Sequence, residues 1–204
     1  VQWDSQLTNN GNPTPWISYP DNVKDFLNTG INISNNVSIT SGGFRLSLGN
    51  SEQRGMVPFT ELKKFTVGVS GTLKLGERVT ASVSLNYFNQ DSDNIPISGY
   101  NNENPFQQFI WSARQVNFTD LRNWREFPLA PDNTAAAGTP LNWNHNFQNN
   151  PYWVLETNRN TFEKDRLIGN VDITSKLTDD LSLSTKLGVD SFSQFTTNRQ
   201  AVGS

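Results

Sequence analysis

The stretch FTVGVSGTLKLGERVTASVSLNYF, residues 65–88, contains the pattern that decides the fold. Apolar residues occupy nearly every odd position on both sides of a short interruption at 76–78, and the even positions are mostly small and polar. Such alternation predicts two β-strands that each have one apolar and one polar face. A turn at the interruption pairs Leu75 with Val79, and a one-residue slip would destroy the match between the two apolar faces. The same register gives three further apolar pairs: Leu73 with Ala81, Val69 with Leu85, and Val67 with Tyr87.

Two further stretches repeat this pattern. In NNVSITSGGFRLSLGN, residues 35–50, Gly42-Gly43 fits a two-residue hairpin turn, because such turns need positive φ angles that glycine tolerates. That turn predicts three cross-strand pairs: Ser41 with Phe44, Ile39 with Leu46, and Val37 with Leu48. In DRLIGNVDITSKLTDDLSLSTKLGVD, residues 165–190, a turn at 178–180 again places the apolar residues of both strands on one face. The sequence therefore predicts three antiparallel hairpins, which means six strands.

The hairpins divide the chain into four segments. We predict a loop leading into a strand at 1–34, two hairpins at 35–90, a long connection at 91–165, and the third hairpin at 166–204. Helical turns are expected at three places: 23–27, 105–114 and 119–124. A loop as long as this connection is unusual inside a compact domain and counts against the assignment unless the loop is functional.

The composition excludes several classes of protein. The 204 residues carry a formal net charge of −3, so nucleic acid is not an expected partner. Cysteine is absent, which excludes disulfides and thiolate metal sites in this chain. No run of about 18 apolar residues exists, so no transmembrane helix is predicted. The sequence also shows neither a starting methionine nor a leader, and we expect it to be part of a longer protein.

The two-faced strands fit the wall of a transmembrane β-barrel. Each arm of the 65–88 hairpin is close to the roughly 9–11 residues that a tilted strand needs to cross a bilayer. Short turns on one side and a long connection on the other are typical of outer-membrane barrels. Phe65, Tyr87 and Phe88 lie near the strand ends away from the tight turn, where an aromatic girdle is expected.

The strand pattern assigns residues to the two sides of this wall. The predicted lipid-facing residues are Val67, Val69, Leu73, Val83, Leu85, Val171, Ile173, Leu183 and Leu187. The predicted lumen-facing residues are Lys74, Asp172, Lys176, Lys186 and Asp190. A soluble antiparallel β-sandwich, exported and binding glycans, produces the same alternation and remains an alternative.

The number of strands bears on the size of the barrel. Membrane barrels start at about eight strands, and an open sheet edge in lipid leaves backbone groups without hydrogen-bond partners. A membrane reading therefore requires that the six predicted strands belong to a larger barrel.

Several stretches, in one consistent order from about Trp3 to Phe192, carry a family resemblance. They are DNVKDFLNTG, NNVSITSGG, RLSLGNSEQRGMVPFTELKKFTVGVSGTLKL, NPYW and DRLIGNVDITSKLTDDLSLSTKLGVD. Together they resemble SusC/RagA-type TonB-linked outer-membrane transporters. In that family this stretch follows the plug and the first barrel strand, so residues 35–49 would be the second and third strands of the barrel. Phe44 stands where a tyrosine is usual just before the R-x-S of that third barrel strand, a small departure that alters nothing.

The resemblance implies a 22-stranded barrel in the outer membrane of Gram-negative, Bacteroidota-type bacteria, with a plug inside it. It implies nutrient import of oligosaccharides or peptides, a SusD-like lipoprotein lid over the outer mouth, and energy from a TonB complex acting on the plug. Plug and TonB-contacting segments are not found in this stretch. The tight turns would then face the periplasm and the 91–165 connection would face outward.

Aromatic residues of the long connection are the best candidates for contact with a ligand or with the lid: Trp111, Trp124, Trp143, Tyr152 and Trp153. They combine a large apolar surface with a polar group, which suits either role. The alternative is that they pack the connection onto itself.

Catalysis and metal binding are not expected. His145 is the single histidine and stands among asparagines, so we predict no zinc site and no other metal. Asp91, Asp93 and Asn94 lack the glycine and distal glutamate of a calcium loop. No nucleophile elbow or phosphate-binding loop is present, and we predict neither enzyme activity nor a cofactor.

Overall fold

The computed structural model describes residues 15–124, 142–144, 148–202 and 204. They form an antiparallel sheet of six strands, in which each strand pairs with the next along the chain. The strands are β1 Ile31–Ser41, β2 Phe44–Arg54, β3 Glu61–Leu75, β4 Val79–Asn94, β5 Arg159–Lys176 and β6 Ser182–Arg199. Four short helices accompany the sheet in the described residues: α1 Asn22–Phe26, α2 Pro105–Trp111, α3 Phe118–Arg122 and α4 Pro151–Thr157. The prediction of an antiparallel all-β protein is confirmed, and within these residues β1 and β6 are the two edges of an open sheet.

The predicted hairpin registers are confirmed. Ser41 pairs with Phe44, and Leu75 pairs with Val79. In the third hairpin the Leu177 N–H donates to the Leu181 carbonyl at 2.8 Å, so the turn lies at 178–180 as expected. The first turn adopts φ angles of 57° at Gly42 and 82° at Gly43, a backbone that side chains disfavour.

The strands run further from the tight turns than the sequence predicts. β4 continues to Asn94 and β5 begins at Arg159, so the connection between them is 95–158 rather than 91–165. Asp91 still pairs with Glu163 in the sheet. Both residues place a charge on the face of the sheet that is apolar nearer the turns. The alternation that marks a strand is therefore lost before the strand itself ends.

One face of the sheet is apolar on all six strands in the half nearest the turns. Because the six strands are in register, the predicted lipid-facing residues all lie on this face: Val67, Val69, Leu73, Val83, Leu85, Val171, Ile173, Leu183 and Leu187. Val69 and Leu85 sit on the central strands, yet each is 37% exposed. Within the described part of the chain, no second layer covers them.

The opposite face is polar and hydrogen-bonded between strands. Thr72 pairs its hydroxyl with that of Ser82 at 3.0 Å, and Thr174 does the same with Ser184 at 3.1 Å. Phe88 also lies on this face, with the Lys64 Nζ 5.1 Å from its ring centre. Phe88 therefore points away from the apolar face, because neighbouring residues of a strand point to opposite faces and Tyr87 lies on the apolar one. The prediction that Phe88 belongs to an aromatic girdle is wrong.

A glycine on the apolar face makes room for an aromatic ring. Gly71 pairs with Phe44 across β3 and β2, and a Cβ at Gly71 would collide with the Phe44 ring. The ring thus covers the backbone that the glycine leaves bare, a cross-strand arrangement that stabilises glycine in a strand.

The buried core lies outside the sheet, among the short helices. Its residues come from α1, the 55–60 loop and the 95–158 connection: Phe26, Val57, Val116, Phe118, Leu121, Trp143, Tyr152 and Leu155. Phe26 holds its centre, with ring centroids of Phe109 and Tyr152 at 4.9 and 5.0 Å. We call this cluster the loop core.

Candidate functional site

Asparagine side chains cap and connect the helices around the loop core. Asn150 is the N-cap of α4, and its Oδ1 accepts from the N–H groups of Tyr152 and Trp153 at 2.9 and 3.3 Å. Its Nδ2 donates to the Leu121 carbonyl at 2.8 Å, which joins α4 to α3. Pro151 occupies the first position of the helix, where no backbone N–H is needed. The Asn-Pro dipeptide is the signal by which α4 could have been predicted, and we did not predict it.

Further asparagines tie the loop core to the strand ends. Asn94, at the end of β4, donates to the Leu155 carbonyl at 2.9 Å and accepts from the Asn160 N–H at 3.2 Å. Asn22 in α1 donates to the Val116 carbonyl at 2.8 Å and accepts from the Phe118 N–H at 3.1 Å. The helices are therefore held at the end of the sheet opposite the tight turns.

Three of the five candidate aromatics are buried in this assembly. Trp143, Tyr152 and Trp153 are each almost inaccessible, and the Trp143 Nε1 donates to the Gln108 Oε1 at 3.0 Å. Trp124 is partly buried against the loop core, and its Nε1 donates to Glu156 at 3.2 Å. These side chains pack the connection onto itself, which was the alternative to ligand or lid contact.

Trp111 is the candidate aromatic that remains open. It is 55% exposed at the end of α2, and Tyr100, 84% exposed, meets it edge-on with ring centroids 6.2 Å apart. Ile110, 81% exposed, and Phe106 extend this exposed surface along α2. Sequence reasoning missed Tyr100, Phe106 and Ile110. Phe106 and Ile110 are one helical turn apart, and that spacing was the available signal.

Burial changes the acid–base behaviour of two groups near the loop core. Burial raises the pKa of the Tyr152 phenol above its usual value, with the Arg122 charge acting in the opposite direction. Burial also raises the pKa of the Asp120 carboxyl, and a hydrogen bond with Asn117 partly offsets that effect. Both shifts follow from packing.

The predicted lumen-facing charges all lie on the polar face: Lys74, Asp172, Lys176, Lys186 and Asp190. Three of them take part in two ion pairs across β5 and β6. The Asp190 carboxylate accepts from the Arg166 Nε and Nη2 at 2.9 and 2.7 Å, and the Lys186 Nζ lies 3.5 Å from the Asp172 carboxylate. The face is hydrophilic, and both of the predicted carboxylates on it are held in ion pairs.

A polar zone follows the apolar residues on the other face. The Asp165 carboxylate accepts from the Tyr87 hydroxyl at 2.5 Å and from the Asn89 amide at 3.0 Å. Beyond them, Glu52 pairs with Lys63, and Lys63 pairs with Asp91 across the strands. Tyr87 thus stands at a boundary, with its ring beside apolar residues and its hydroxyl in a charged zone that we call the collar.

The described residues contain neither a cluster of metal ligands nor a helix suited to span a membrane. No group of three or more His, Cys, Asp or Glu residues there is placed to hold a metal ion. No helix among them is long and apolar enough to cross a membrane. His145 lies outside the described residues. Comparison with protein-family models and with curated proteins found no match to this chain.

Proposed function

We propose that the chain forms part of the wall of an outer-membrane TonB-dependent transporter of the SusC/RagA type. The observation that supports this most directly is the uncovered apolar face that runs across all six strands. Val69 and Leu85 on the central strands would be buried by a second sheet in a sandwich, but they are open here. A face of this kind, backed by a hydrogen-bonded polar face, suits hydrocarbon on one side and water on the other.

The height of the apolar face agrees with a bilayer. On β3 it extends from Leu75 to Phe65. Ten positions at about 3.3 Å each, tilted by roughly 40°, give about 25 Å, which is the height of the apolar band of outer-membrane barrels. Phe65 and Tyr87 mark the upper limit, and the hydrogen bond from Tyr87 to Asp165 fixes the tyrosine at that level.

The open edges of the sheet imply additional strands. β1 and β6 carry unpaired backbone groups on their outer sides in the described residues. In hydrocarbon each such group costs several kcal/mol, so further strands must continue the sheet on both sides. The family resemblance supplies a full barrel of 22 strands with an internal plug.

The polar face of this wall and its outer end take different roles. The polar face, with the Arg166–Asp190 and Lys186–Asp172 pairs, lines the lumen and meets the plug or the passing solute. The loop core stands at the outer end, where Trp111 is open to a SusD-like lipoprotein lid or to an incoming oligosaccharide or peptide. Energy comes from a TonB complex acting on the plug.

Single-cysteine labelling tests the membrane assignment. The chain has no cysteine, so Val69→Cys on the apolar face and Ser70→Cys on the polar face each introduce one thiol into it. Any cysteine elsewhere in the full-length protein is first replaced by serine. An environment-sensitive fluorophore at residue 69 should be quenched by brominated lipid, whereas one at residue 70 should be quenched by aqueous iodide.

Two results would contradict the proposal. The first is equal quenching by aqueous iodide at both positions. The second is a stable monomer in buffer without detergent that shields residue 69 from both quenchers. The second result would instead favour the soluble glycan-binding sandwich.

A further inference from the structure

The polar face of the sheet carries an excess of positive charge. Although the whole chain has a formal net charge of −3, the six strands place only two carboxylates on this face, Asp172 and Asp190. They place seven cationic side chains there: Arg45, Lys64, Lys74, Lys164, Arg166, Lys176 and Lys186. The two carboxylates pair with Lys186 and Arg166. Five cations of this face therefore have no carboxylate partner within the described residues.

Two of these five cations, Lys64 and Lys164, are held in place by aromatic rings. The Lys64 Nζ lies 5.1 Å from the centre of the Phe88 ring, and the Lys164 Nζ lies 4.9 Å from the centre of the Phe192 ring. Each lysine reaches toward the next strand along the chain, from β3 to β4 and from β5 to β6, so the ammonium groups keep the separation of their strands. A ring attracts an ammonium group without neutralising it. Both groups thus have a defined position and a charge that an anion can use.

The two lysines alternate with glutamines in one row across the sheet. Lys64 pairs with Gln90, Gln90 with Lys164, and Lys164 with Gln194, on four successive strands. Successive strands are about 4.8 Å apart, so about 9.6 Å separates the lysines, with a glutamine between them. The row therefore presents charge, amide, charge and amide at equal intervals. We call it the lysine–glutamine row.

The intervals of this row distinguish between kinds of linear anion. One strand spacing is close to the length of a sugar ring in an extended oligosaccharide. A chain lying across the strands can therefore present an acidic sugar to each lysine and a neutral sugar to each glutamine, whose amide both donates to and accepts from hydroxyl groups. An extended peptide repeats its side chains on one face at about 6.6 Å, which matches neither one strand spacing nor two.

We propose that the lysine–glutamine row binds a linear oligosaccharide with an acidic group, carboxylate or sulfate, on alternate sugars. Lys64 and Lys164 bind the acidic groups, while Gln90 and Gln194 form hydrogen bonds with the neutral sugars between and beside them. The positive charge of the rest of the polar face draws an anion toward the row. The role of this ligand as a transported solute rests on the proposed function, because that function makes the polar face the lining of the lumen.

Calorimetric titration of the full-length protein with a hyaluronan tetrasaccharide tests the row, because this probe carries a carboxylate on alternate sugars. Lys64→Gln and Lys164→Gln should each weaken binding about fivefold or more, as expected for the loss of a charge-assisted contact. Lys176→Gln is the matched control, because it removes the same charge from the same face of β5. Lys176 lies about 40 Å along the strand from Lys164, beyond the reach of a screened charge, so this variant should leave binding unchanged.

A charge-conserving pair of substitutions tests the spacing. Lys64→Gln combined with Gln90→Lys keeps the charge of the polar face but moves the two cations onto adjacent strands. The combination should bind the probe as weakly as Lys64→Gln alone, because the acidic groups of the probe no longer meet both lysines. Recovery of the wild-type affinity would show that only the total charge matters and would overturn the proposal.

Two further ligands complete the test. Neutral maltotetraose and the acidic peptide tetraglutamate should each bind at least about tenfold more weakly than the hyaluronan tetrasaccharide. The proposal is overturned if the wild-type protein does not bind the hyaluronan probe, if either of these ligands binds as tightly, or if Lys176→Gln weakens binding as much as Lys164→Gln. The labelling result at residue 69 is obtained without any of these ligands, so failure of the transporter proposal is distinguishable from failure of this one.

Discussion

Arginine at position 69 should be costly because of its depth in the proposed bilayer. Val69 lies six positions from Leu75 at the turn end, which is about 20 Å along β3 and about 15 Å in depth at a tilt near 40°. This is close to the middle of the apolar band of about 25 Å. The arginine of Val69→Arg would therefore stand near the midplane, where the expected cost in free energy of unfolding is about 2–4 kcal/mol.

Two matched variants make this a test of depth and of face. Leu75→Arg, on the same face but at the rim, should cost about 0–1 kcal/mol. Ser84→Arg, one strand away on the polar face at the depth of Ser70, should stay within about 0.5 kcal/mol. Equilibrium unfolding of the full-length protein from lipid vesicles, followed by tryptophan fluorescence, gives the three values. Equal costs for Val69→Arg and Leu75→Arg, or a Ser84→Arg cost as large as that of Val69→Arg, would refute the reasoning.

Three further predictions concern packing, capping and pH. Gly71→Val should destabilise the sheet by about 1–3 kcal/mol, because the new side chain collides with the Phe44 ring. In a double-mutant cycle Phe44→Ala should recover part of that loss, whereas simple additivity of the two free-energy changes would count against the contact. Asn150→Ala should cost the loop about 1–3 kcal/mol and speed amide exchange in α4, because the cap and the bond to Leu121 are lost together, whereas unchanged exchange would contradict this role. Burial raises the pKa of the Tyr152 phenol, so this group ionises in the unfolded chain at a lower pH than in the folded one. The free energy of unfolding should therefore fall as the pH rises above the unfolded pKa of 10.0. Tyr152→Phe should lack this pH-dependent loss of stability, and an identical pH profile in the variant would exclude the effect.

The sequence was sufficient to predict hairpins wherever one face is apolar. Between Phe65 and Tyr87 a shift of one residue would turn every valine and leucine to the polar side, so only one register is compatible with the pattern. The same information disappears in the collar. There Asp91 and Glu163 occupy positions that are apolar closer to the turns, and the sheet continues through backbone hydrogen bonds that leave no periodic trace in the sequence.

The loop aromatics show a second limit of sequence reasoning. Trp111 and Trp153 are the same residue type in the same connection, yet one is exposed and the other is buried. Their difference arises from contacts between segments that are distant in the chain, such as Asn22 with Val116 and Asn150 with Leu121. Tertiary contacts of this kind are not encoded in local spacing, so the choice between packing and recognition had to come from the structure.

The part of β5 between Leu167 and Arg159 determines how far a partner must reach from the lipid surface. Eight positions separate Leu167 from Arg159, which amounts to about 26 Å along the strand and about 20 Å in height at a tilt near 40°. In the proposed membrane setting the strands thus act as a pedestal, and they raise Trp111 well clear of the lipid surface. A lipid-anchored protein that reaches this platform from the same leaflet must span about 20 Å, either by the height of its folded domain or by a tether of about six extended residues.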